Sequence, residues 1–364
     1  MSGPRGRLSA LQRWYERSGR ELPWRGERDP YRVWLREIML QQTTVTAVVP
    51  YFQRFITAFP TVQSLAAADE MAVLRLWEGL GYYSRARNLH RAARQIVSEL
   101  SEQFPSDAVA LEALPGVGRY TAGAIASFAF DQRAAIIEAN TLRLHARLIG
   151  YVGDPRSKDG QAELWSSAAE FVNAATPEFG PGAINQALMD LGATVCTPQS
   201  PRCPECPLQK WCVAFQAGQQ NEIPRPVVRP VITEVTEATV AIHRRGEFLL
   251  RQRAPGERWA GLWDFPRYPV DDDAGVVGTI ADGVRAQTGL TIALGDEIAT
   301  FKHGVTRYRI TLRCFAASVE KGRLHRDDSL RWVAPRDFPQ FPLSVTGRKF
   351  AQRLTNPGLF DRLL

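Results

Sequence analysis

The stretch CTPQSPRCPECPLQKWC, residues 196–212, holds four of the five cysteines of this chain. Cys196, Cys203, Cys206 and Cys212 follow the spacing C-x6-C-x2-C-x5-C. Thiols gathered at short intervals in a cysteine-poor protein usually bind a metal, and the prolines between them indicate a loop. Structural zinc sites usually take two separated ligand pairs, whereas four unequal gaps suit a cubane iron–sulfur cluster. We predict one 4Fe–4S cluster here, with zinc as the alternative metal and four unrelated buried thiols as the alternative without a metal.

The composition is that of a globular protein with two or three domains. The chain has 364 residues, a net charge of +7 and a pI near 9.3, which favours a polyanionic partner such as nucleic acid. Only five of its 45 basic residues are Lys, however, and a coding bias toward Arg gives the same surplus. No apolar run reaches the ~20 residues of a membrane helix, and the N-terminus lacks an apolar signal core. We expect a monomer that associates with the nucleoid through DNA, and the lack of a disulfide framework together with the predicted oxidation-sensitive cluster favours a reducing cytoplasm.

Two kinds of periodicity divide the chain. Up to about residue 215, apolar residues recur at helical spacing in four segments: 29–59, 69–80, 89–100 and 160–173. Residues 216–230 hold three prolines without helical periodicity, which indicates a linker. Beyond it, alternating β-branched segments predict three strands: 239–243, 248–251 and 308–315. With one helix predicted at 278–288, the region 231–364 is expected to be an α+β domain.

A second motif, LPGVGRYTAG at residues 114–123, lies between two helical patterns. Gly116 and Gly118 flank Val117, so the backbone can turn tightly and expose its N–H groups. The following helix adds its positive N-terminal end, and together these groups can bind a DNA phosphate without reading sequence. An ordinary connection between two helices is the alternative.

The hairpin followed by the cysteine run resembles the endonuclease III superfamily of DNA glycosylases. Four further stretches resemble the adenine DNA glycosylase (MutY-type) family: LPWR at 22–25, EIMLQQT at 37–43, WEGLGYYSRARNL at 77–89 and NQALMDLG at 185–192. The resemblance spans 20–215 nearly without gaps and continues more weakly to the C-terminus. It implies a multidomain fold, in which an all-α two-lobed helix-hairpin-helix glycosylase with an iron–sulfur loop precedes an α+β Nudix-like domain.

Within residues 1–215, the resemblance implies a six-helix lobe over about 30–135 and a second lobe of N-terminal residues plus 136–195. The family removes adenine mispaired with 8-oxoguanine or guanine, so the implied partner is double-stranded DNA with a mismatched or oxidised base pair. Three alternatives remain: a glycosylase for thymine opposite guanine, a catalytically inactive DNA-binding protein, and a Nudix hydrolase.

Base excision needs a flipped base, an acid at the leaving base and a carboxylate near the cationic sugar. Glu37 lies in a helical run beside Val33 and Leu40, where partial burial favours a protonated carboxyl group. By composition alone, a solvated Glu paired with a nearby Arg is the ordinary interpretation. The resemblance instead implies that Glu37 protonates N7 of adenine.

The second carboxylate follows the hairpin, where the family usually carries Asp-Gly-Asn. This chain has Glu138, Ala139 and Asn140. Asn140 is a suitable N-cap, and a neighbouring helix N-terminus favours the ionised form of Glu138. An ordinary capping acid is the alternative. The resemblance implies that Glu138 stabilises the cationic sugar through a side chain one methylene longer than usual.

Tyr120 occupies the position where bifunctional superfamily members carry a lysine. A lysine amine there forms a Schiff base with the sugar and leads to strand cleavage, which a phenol cannot do. We therefore expect a monofunctional glycosylase, with a merely packing role for Tyr120 as the alternative.

The resemblance also implies two groups of DNA-contacting residues in the helical region. The first forms the adenine pocket, in which Trp24 stacks on the flipped base and Gln186 bonds its edge: Arg20, Trp24, Arg25, Leu40, Gln186 and Met189. The second contacts or fills the duplex: Gln41, Gln42, Thr43, Tyr82, Gly116, Val117 and Gly118. Leu40 and Met189 equally suit a core position.

Residues 244–266 resemble the start of a Nudix fold. The helix that holds magnesium in a Nudix hydrolase should fall at 282–289, but the metal-binding carboxylates are missing there. The family uses this domain to recognise 8-oxoguanine through a Phe-Ser-His loop. The corresponding residues are Phe301, Lys302 and His303, and we expect Lys302 to prefer a phosphate. Cys314 lies in an alternating strand and is predicted to be a core residue.

Overall fold

The computed structural model describes residues 4–225, 231–270 and 275–356. Their contacts divide the chain into two compact units. The helical unit comprises Met1–Ala67 and Asn88–Val228, and the sheet unit comprises Ala68–Arg87 and Arg229–Leu364. The segment Ala68–Arg87 therefore belongs to the sheet unit, because its contacts are with residues far along the chain. The periodicity of the sequence does not reveal this grouping.

The described residues up to Ala217 form twelve α-helices joined by short turns. In chain order they are α1 (Pro4–Ser18), α2 (Pro30–Leu40), α3 (Val45–Ala58), α4 (Val62–Ala67), α5 (Glu70–Leu76), α6 (Ser84–Glu99), α7 (Ala108–Glu112), α8 (Arg119–Phe130), α9 (Ala139–Ile149), α10 (Lys158–Asn173), α11 (Pro181–Thr194) and α12 (Val213–Gln216).

Capping groups explain why the helical pattern at 29–59 forms two helices. Asp29 accepts a hydrogen bond from the Tyr31 amide at the start of α2, and Pro30 fits the first helical position. Gln42 then adopts a left-handed backbone with φ of 56°. Thr44 caps α3 by accepting from the Ala47 amide. The turn between α2 and α3 thus follows from local chemistry.

The core of the helical unit gathers elements that are distant in sequence. Leu11 of α1, Leu144 of α9 and Leu191 of α11 are buried together in one hydrophobic cluster. Cys196 and Leu208 of the cysteine loop belong to the same cluster. The predicted linker also contributes, because Ile223 is 3% exposed and accepts a 2.8 Å hydrogen bond from Arg147 Nε. Residues 226–230 of that predicted linker lie outside the described residues.

The sheet unit contains a seven-stranded sheet in its described residues, with β3-β2-β1-β6-β5 as the strand order. Strand β4 pairs with β1 and β7 pairs with β2; β1 and β6 are parallel, and the other pairs are antiparallel. The elements are β1 (Thr233–Arg244), β2 (Glu247–Gln252), β3 (Trp263–Asp264), β4 (Arg267–Pro269), α13 (Val276–Thr288), β5 (Leu290–Val305), β6 (Tyr308–Gly322), β7 (Leu330–Val333) and α14 (Val345–Leu354).

Both faces of the sheet are covered by a helix. Alternating residues of β1 and β6 divide between two cores, as expected for a strand period of two. Val240 packs in the core that includes Ile280 of α13, whereas Cys314 packs in the core that includes Phe350 of α14. Cys314 is 0% exposed, so the prediction that it is a core residue is confirmed.

A salt bridge fastens the Ala68–Arg87 segment to the rest of the sheet unit. Arg348 of α14 donates to both carboxylate oxygens of Glu78, at 2.7 and 2.8 Å. The backbone amide of Leu343 donates to the same carboxylate at 3.2 Å, and Arg87 donates to the backbone oxygen of Ala260. This segment therefore brings Tyr82 into the sheet unit.

Candidate active site and DNA interface

Glu37 lies on α2 with only 3% of its surface exposed. Its Oε2 accepts a 2.9 Å hydrogen bond from the Tyr120 hydroxyl, and its Oε1 accepts a 3.2 Å bond from Arg36 Nε. Arg36 also donates to the backbone oxygen of Trp24 at 3.1 Å. Both oxygens of the buried carboxyl group are thus held in place by donors.

Tyr120 stands in the first turn of α8, directly after the hairpin. Burial, followed by the charge of Glu37, holds the pKa of Tyr120 well above its usual value, and the charge of Glu138 adds to this effect. The phenol therefore stays protonated and donates to Glu37.

One small cavity of the helical unit adjoins Glu37. It is lined by all six residues predicted for the adenine pocket. The other residues around it are three apolar ones and three charged ones: Leu22, Val45, Phe128, Arg36, Glu37 and Asp190. Leu40 and Met189 are partly buried rather than core residues. The structure therefore brings the predicted pocket residues together with the predicted acid.

A buried carboxylate that sequence reasoning missed organises this cavity. Asp190 is 1% exposed and forms 2.7 Å salt bridges with Arg20 and Arg25. Arg25 Nη1 donates to Gln186 Oε1 at 2.5 Å, and the Tyr15 hydroxyl donates to the same oxygen at 3.0 Å. The spacing of Gln186 and Asp190, one helical turn apart on α11, is the sequence signal that could have placed both residues on one helix face.

Glu138 caps α9, which corrects the expectation that Asn140 is the N-cap. Glu138 accepts 2.9 Å hydrogen bonds from the backbone amides of Asn140 and Thr141, while Thr141 Oγ1 accepts from the Glu138 amide. Glu138 is therefore the N-cap, and Asn140 falls within the first turn of the helix. Asn140 Oδ1 accepts instead from Arg143 at 3.0 Å. Glu138 does not contribute to the surface of the cavity beside Glu37.

The four cysteines of the loop line one largely apolar cavity with residues of α9. Arg147 donates to Cys196 Sγ at 3.3 Å and to the backbone oxygen of Thr197 at 2.7 Å. Arg143 donates to the backbone oxygen of Cys196 at 2.7 Å. Two arginines of the helix capped by Glu138 therefore hold the cysteine loop.

This arrangement fits an iron–sulfur cluster. Among the described residues, no three His, Cys, Asp or Glu side chains are gathered for a single metal ion. A cubane binds each of its four thiolates at a different iron, so it needs four thiols around a shared cavity. Burial raises the pKa of Cys206 to about 12, and a bound metal overcomes such a penalty by its charge.

The hairpin between α7 and α8 has the geometry of a phosphate site at a helix N-terminus. Gly116 has φ of 77°, and a Cβ there would lie 2.7 Å from Asn88 Cβ, so a larger residue is excluded. A Cβ on Gly118 would meet nothing within 4 Å, which leaves room for a close ligand. The Val117 side chain is 5% exposed and anchors the turn, so it does not itself reach the solvent.

Two residues predicted to contact the duplex have left-handed backbones. Gln42 has φ of 56° and Tyr82 has φ of 48°, and Tyr82 is 44% exposed. Gln41 donates to Thr121 Oγ1 at 3.2 Å, and Thr43 donates to the backbone oxygen of Gln41 at 3.3 Å. Sparsely populated conformations at exposed positions are frequent at functional sites.

The predicted recognition loop is part of a strand. Phe301, Lys302 and His303 lie in β5 and pair with Leu312, Thr311 and Ile310 of β6. The loop expectation is wrong because the hairpin of β5 and β6 continues past these residues to its turn at Thr306 and Arg307.

These three residues line a cavity of about 700 Å³ in the sheet unit. Tyr82, Arg258 and Trp259 are also among its walls. Both ring nitrogens of His303 are buried, and no described residue bonds to them. Burial, followed by the charge of Arg267, lowers the pKa of His303, so the ring is neutral near pH 7 and has one donor and one acceptor for a ligand.

Three family models match the chain. Residues 35–170 match the HhH-GPD superfamily base excision DNA repair protein, residues 196–212 match the iron–sulfur binding domain of endonuclease III, and residues 238–353 match the NUDIX domain. They confirm the predicted fold class and the predicted 4Fe–4S cofactor. The fold and the site thus define a helix-hairpin-helix base excision repair protein that carries an iron–sulfur loop and a Nudix domain.

Individual relatives show which family of base excision repair proteins the chain resembles. The adenine DNA glycosylase of Buchnera aphidicola from Schizaphis graminum is 38% identical over 256 residues, which are 70% of this chain and 73% of the relative. The mouse adenine DNA glycosylase is 42% identical over 71% of this chain, but the match spans only 50% of the mouse protein. A solved thermostable thymine-DNA glycosylase is 27% identical with a TM-score of 0.53, and the match covers 58% of this chain and 98% of that structure. The chain belongs to the adenine DNA glycosylase family.

In the ranges that the structure describes, no helix is both long and apolar enough to cross a membrane.

Proposed function

We propose that this protein excises adenine mispaired with 8-oxoguanine or guanine from duplex DNA and leaves an intact abasic strand. The observation that carries the proposal is the cavity in which a buried carboxyl group, Glu37, adjoins Trp24 and Gln186. An aromatic ring for stacking, an amide for the base edge and a proton donor are the groups that base removal needs.

The acid step follows from the position of Glu37. When its carboxyl group is protonated, the proton passes to N7 of the flipped adenine while the bond between C1′ of the sugar and N9 breaks. The bonding electrons leave with the neutral base, and the sugar becomes an oxocarbenium-like cation. The Tyr120 hydroxyl, 2.9 Å from Oε2, supports the carboxylate that remains.

The carboxylate of Glu138 stabilises the cationic sugar. The carboxylate accepts two backbone hydrogen bonds at the N-terminus of α9, which hold it in one position. Water then adds to C1′ and its proton passes to a carboxylate, which completes the abasic product. Tyr120 cannot form a Schiff base, so no Schiff-base intermediate and no strand cleavage follow.

The iron–sulfur cluster contributes structure rather than catalysis in this scheme. Cys196, Cys203, Cys206 and Cys212 would hold the cluster, which would tie together the loop that carries Arg202 and Lys210, two exposed cations available for phosphate contact. Arg202 also pairs with Glu205 at 2.9 Å, so Lys210 is the freer contact.

The sheet unit supports recognition of the opposite base. We propose that His303 bonds to 8-oxoguanine, Phe301 wedges beside it and Lys302 contacts a phosphate. The duplex is the partner of a monomeric protein, which acts in the cytoplasm where chromosomal DNA lies.

An excision assay tests the proposed function. Duplexes with adenine opposite 8-oxoguanine, adenine opposite guanine and thymine opposite guanine are incubated with the full-length protein, followed by alkali to reveal abasic sites. The expected result is cleavage of the adenine strand only. Cleavage of the thymine strand supports the alternative mismatch glycosylase, and intact strands throughout support an inactive DNA-binding protein.

A further inference from the structure

We propose that Asp190 and Tyr15 are positioning residues, which fix the Gln186 amide so that its NH2 group faces the base. The inference rests on the proposed function for the identity of that base. Neither residue needs to touch the substrate, because both act through the side chains that form the cavity beside Glu37.

Asp190 is surrounded by hydrogen-bond donors from the N-terminal segment. Its Oδ1 accepts from Arg20 Nε at 2.7 Å, and its Oδ2 accepts from the Arg20 backbone amide at 3.0 Å and from Arg25 Nη2 at 2.7 Å. A carboxylate that is 1% exposed and bonded in this way holds both guanidinium groups in one arrangement. The backbone oxygen of Arg20 accepts from Arg25 Nη2 at 2.8 Å and fixes the second guanidinium further.

The held guanidinium then decides how the Gln186 amide is oriented. Arg25 Nη1 lies 2.5 Å from one terminal atom of Gln186, and the Tyr15 hydroxyl lies 3.0 Å from the same atom. Arginine has donors and no acceptor, so the atom that it contacts must be the carbonyl oxygen. The other terminal atom is the NH2 group, for which no acceptor exists among the described residues.

A free glutamine amide can turn by 180° and offer a base either a donor or an acceptor. The lock made by Asp190, Arg25 and Tyr15 removes this choice before the base arrives. The cavity then presents a donor, which pairs with a ring nitrogen that has a lone pair and not with an exocyclic amino group. Orientation settled in the free protein also lowers the entropy cost of base capture.

A double-variant cycle tests the lock. Single-turnover excision of adenine is measured for Asp190→Asn, Gln186→Ala and the double variant, and thermal unfolding is measured for each. We expect the excision rate to fall about tenfold in each single variant, as for the loss of one hydrogen bond. In the double variant the rate should also fall about tenfold rather than a hundredfold, because both changes remove the same interaction. Additive losses, or an Asp190→Asn rate equal to that of the wild type, would overturn the proposal.

A second variant keeps the test decisive where Asp190→Asn folds poorly. Tyr15→Phe retains the ring against Arg25 and removes only the hydroxyl, so we expect about a threefold loss that disappears in the Gln186→Ala background. Tyr31→Phe is the matched control, since the Tyr31 hydroxyl donates to the backbone oxygen of Phe59 outside the cavity. An equal loss in Tyr31→Phe, or a Tyr15→Phe loss that persists without Gln186, contradicts the lock.

A structural measurement separates failure of this inference from failure of the proposed function. Crystal structures of the unliganded wild-type protein and of Asp190→Asn need no substrate. The lock predicts that Arg25 withdraws from Gln186 Oε1 in the variant. Retention of that contact overturns the inference even where adenine is excised, and its loss supports the inference even where another base proves to be the substrate.

Discussion

The cavity beside Glu37 and the cavity beside His303 differ in whether their buried polar groups are already hydrogen-bonded within the protein. The first has a volume of about 60 Å³ and the second about 700 Å³. Around the small cavity, Glu37 and Asp190 are each held by at least two donors. In the large one, both ring nitrogens of His303 lack a described partner.

This difference indicates which task each cavity is suited to perform. A site that transfers a proton gains from groups fixed before the substrate arrives, because reorganisation during the reaction is costly. A recognition site gains from groups whose hydrogen bonds are completed only by the correct ligand, because a wrong ligand leaves them buried and unpaired. The small cavity matches the first description and the large one matches the second.

The largest expected effect comes from removing the acid. Glu37→Gln keeps the shape of the side chain but cannot supply the proton, so single-turnover excision should fall by at least about 10³-fold. Binding to the mismatched duplex, measured by fluorescence anisotropy, should change less than about threefold. The exposed Glu170→Gln is the control, and an active Glu37→Gln protein would remove Glu37 from the reaction.

Changes at Glu138 are expected to rank next. Glu138→Gln loses the negative charge and should lower excision by about 10²-fold or more, since the cationic sugar loses its counter-charge. Glu138→Asp keeps the charge and supplies a preferred N-cap, so it should retain activity and stability. The comparison needs single-turnover rates and thermal unfolding of all three proteins. Equal rates for Glu138→Gln and wild type would show that the residue only caps α9.

A moderate effect is expected at the edge of the large cavity. Lys302→Ser removes an exposed cation and should weaken duplex binding a few-fold at low salt. The slope of the logarithm of the binding constant against the logarithm of the salt concentration should become smaller by about one phosphate contact. The preference for 8-oxoguanine over guanine should stay or increase. Lys321→Ser, an exposed cation at the far end of β6, serves as the control. An unchanged salt dependence would mean that Lys302 does not meet a phosphate.

The smallest effect is expected at the tyrosine beside the acid. Tyr120→Phe removes one donor to Glu37 but leaves the carboxyl group in place, so the rate should fall only about threefold to tenfold. Borohydride treatment of the wild-type protein during the reaction should trap no covalent DNA adduct. A covalent adduct trapped by borohydride would contradict the monofunctional mechanism.

The sequence predicted a residue of these two cavities where its role could be recognised from its own stretch of sequence. It did not do so where the role depends on a contact with a distant residue. Glu37 and the pocket residues lie in contiguous stretches that resemble the family, so their positions were predictable. Asp190 and Tyr15 act through pairs separated by 165 and 171 residues, and no local pattern reports such a contact. The N-cap of α9 was misassigned because Asn is a preferred N-cap residue and Glu is not, yet Glu138 caps the helix.

The sheet unit shows the same limit. Alternation predicted strands near those observed at Thr233–Arg244 and Tyr308–Gly322, and the core position of Cys314. The placement of Phe301 within a strand depended on its pairing with Leu312, and the inclusion of Ala68–Arg87 depended on the salt bridge between Glu78 and Arg348. Each of these contacts joins residues whose own segments carry no sign of it.

The division of work between the two cavities is tested most directly by a ratio of rates. Single-turnover excision of adenine opposite 8-oxoguanine is divided by excision opposite guanine, in the wild type, in His303→Ala and in Glu138→Asp. We predict that the ratio falls about tenfold in His303→Ala, which loses a buried hydrogen bond to the opposite base, and stays unchanged in Glu138→Asp. A ratio that responds to Glu138→Asp but not to His303→Ala would contradict the account.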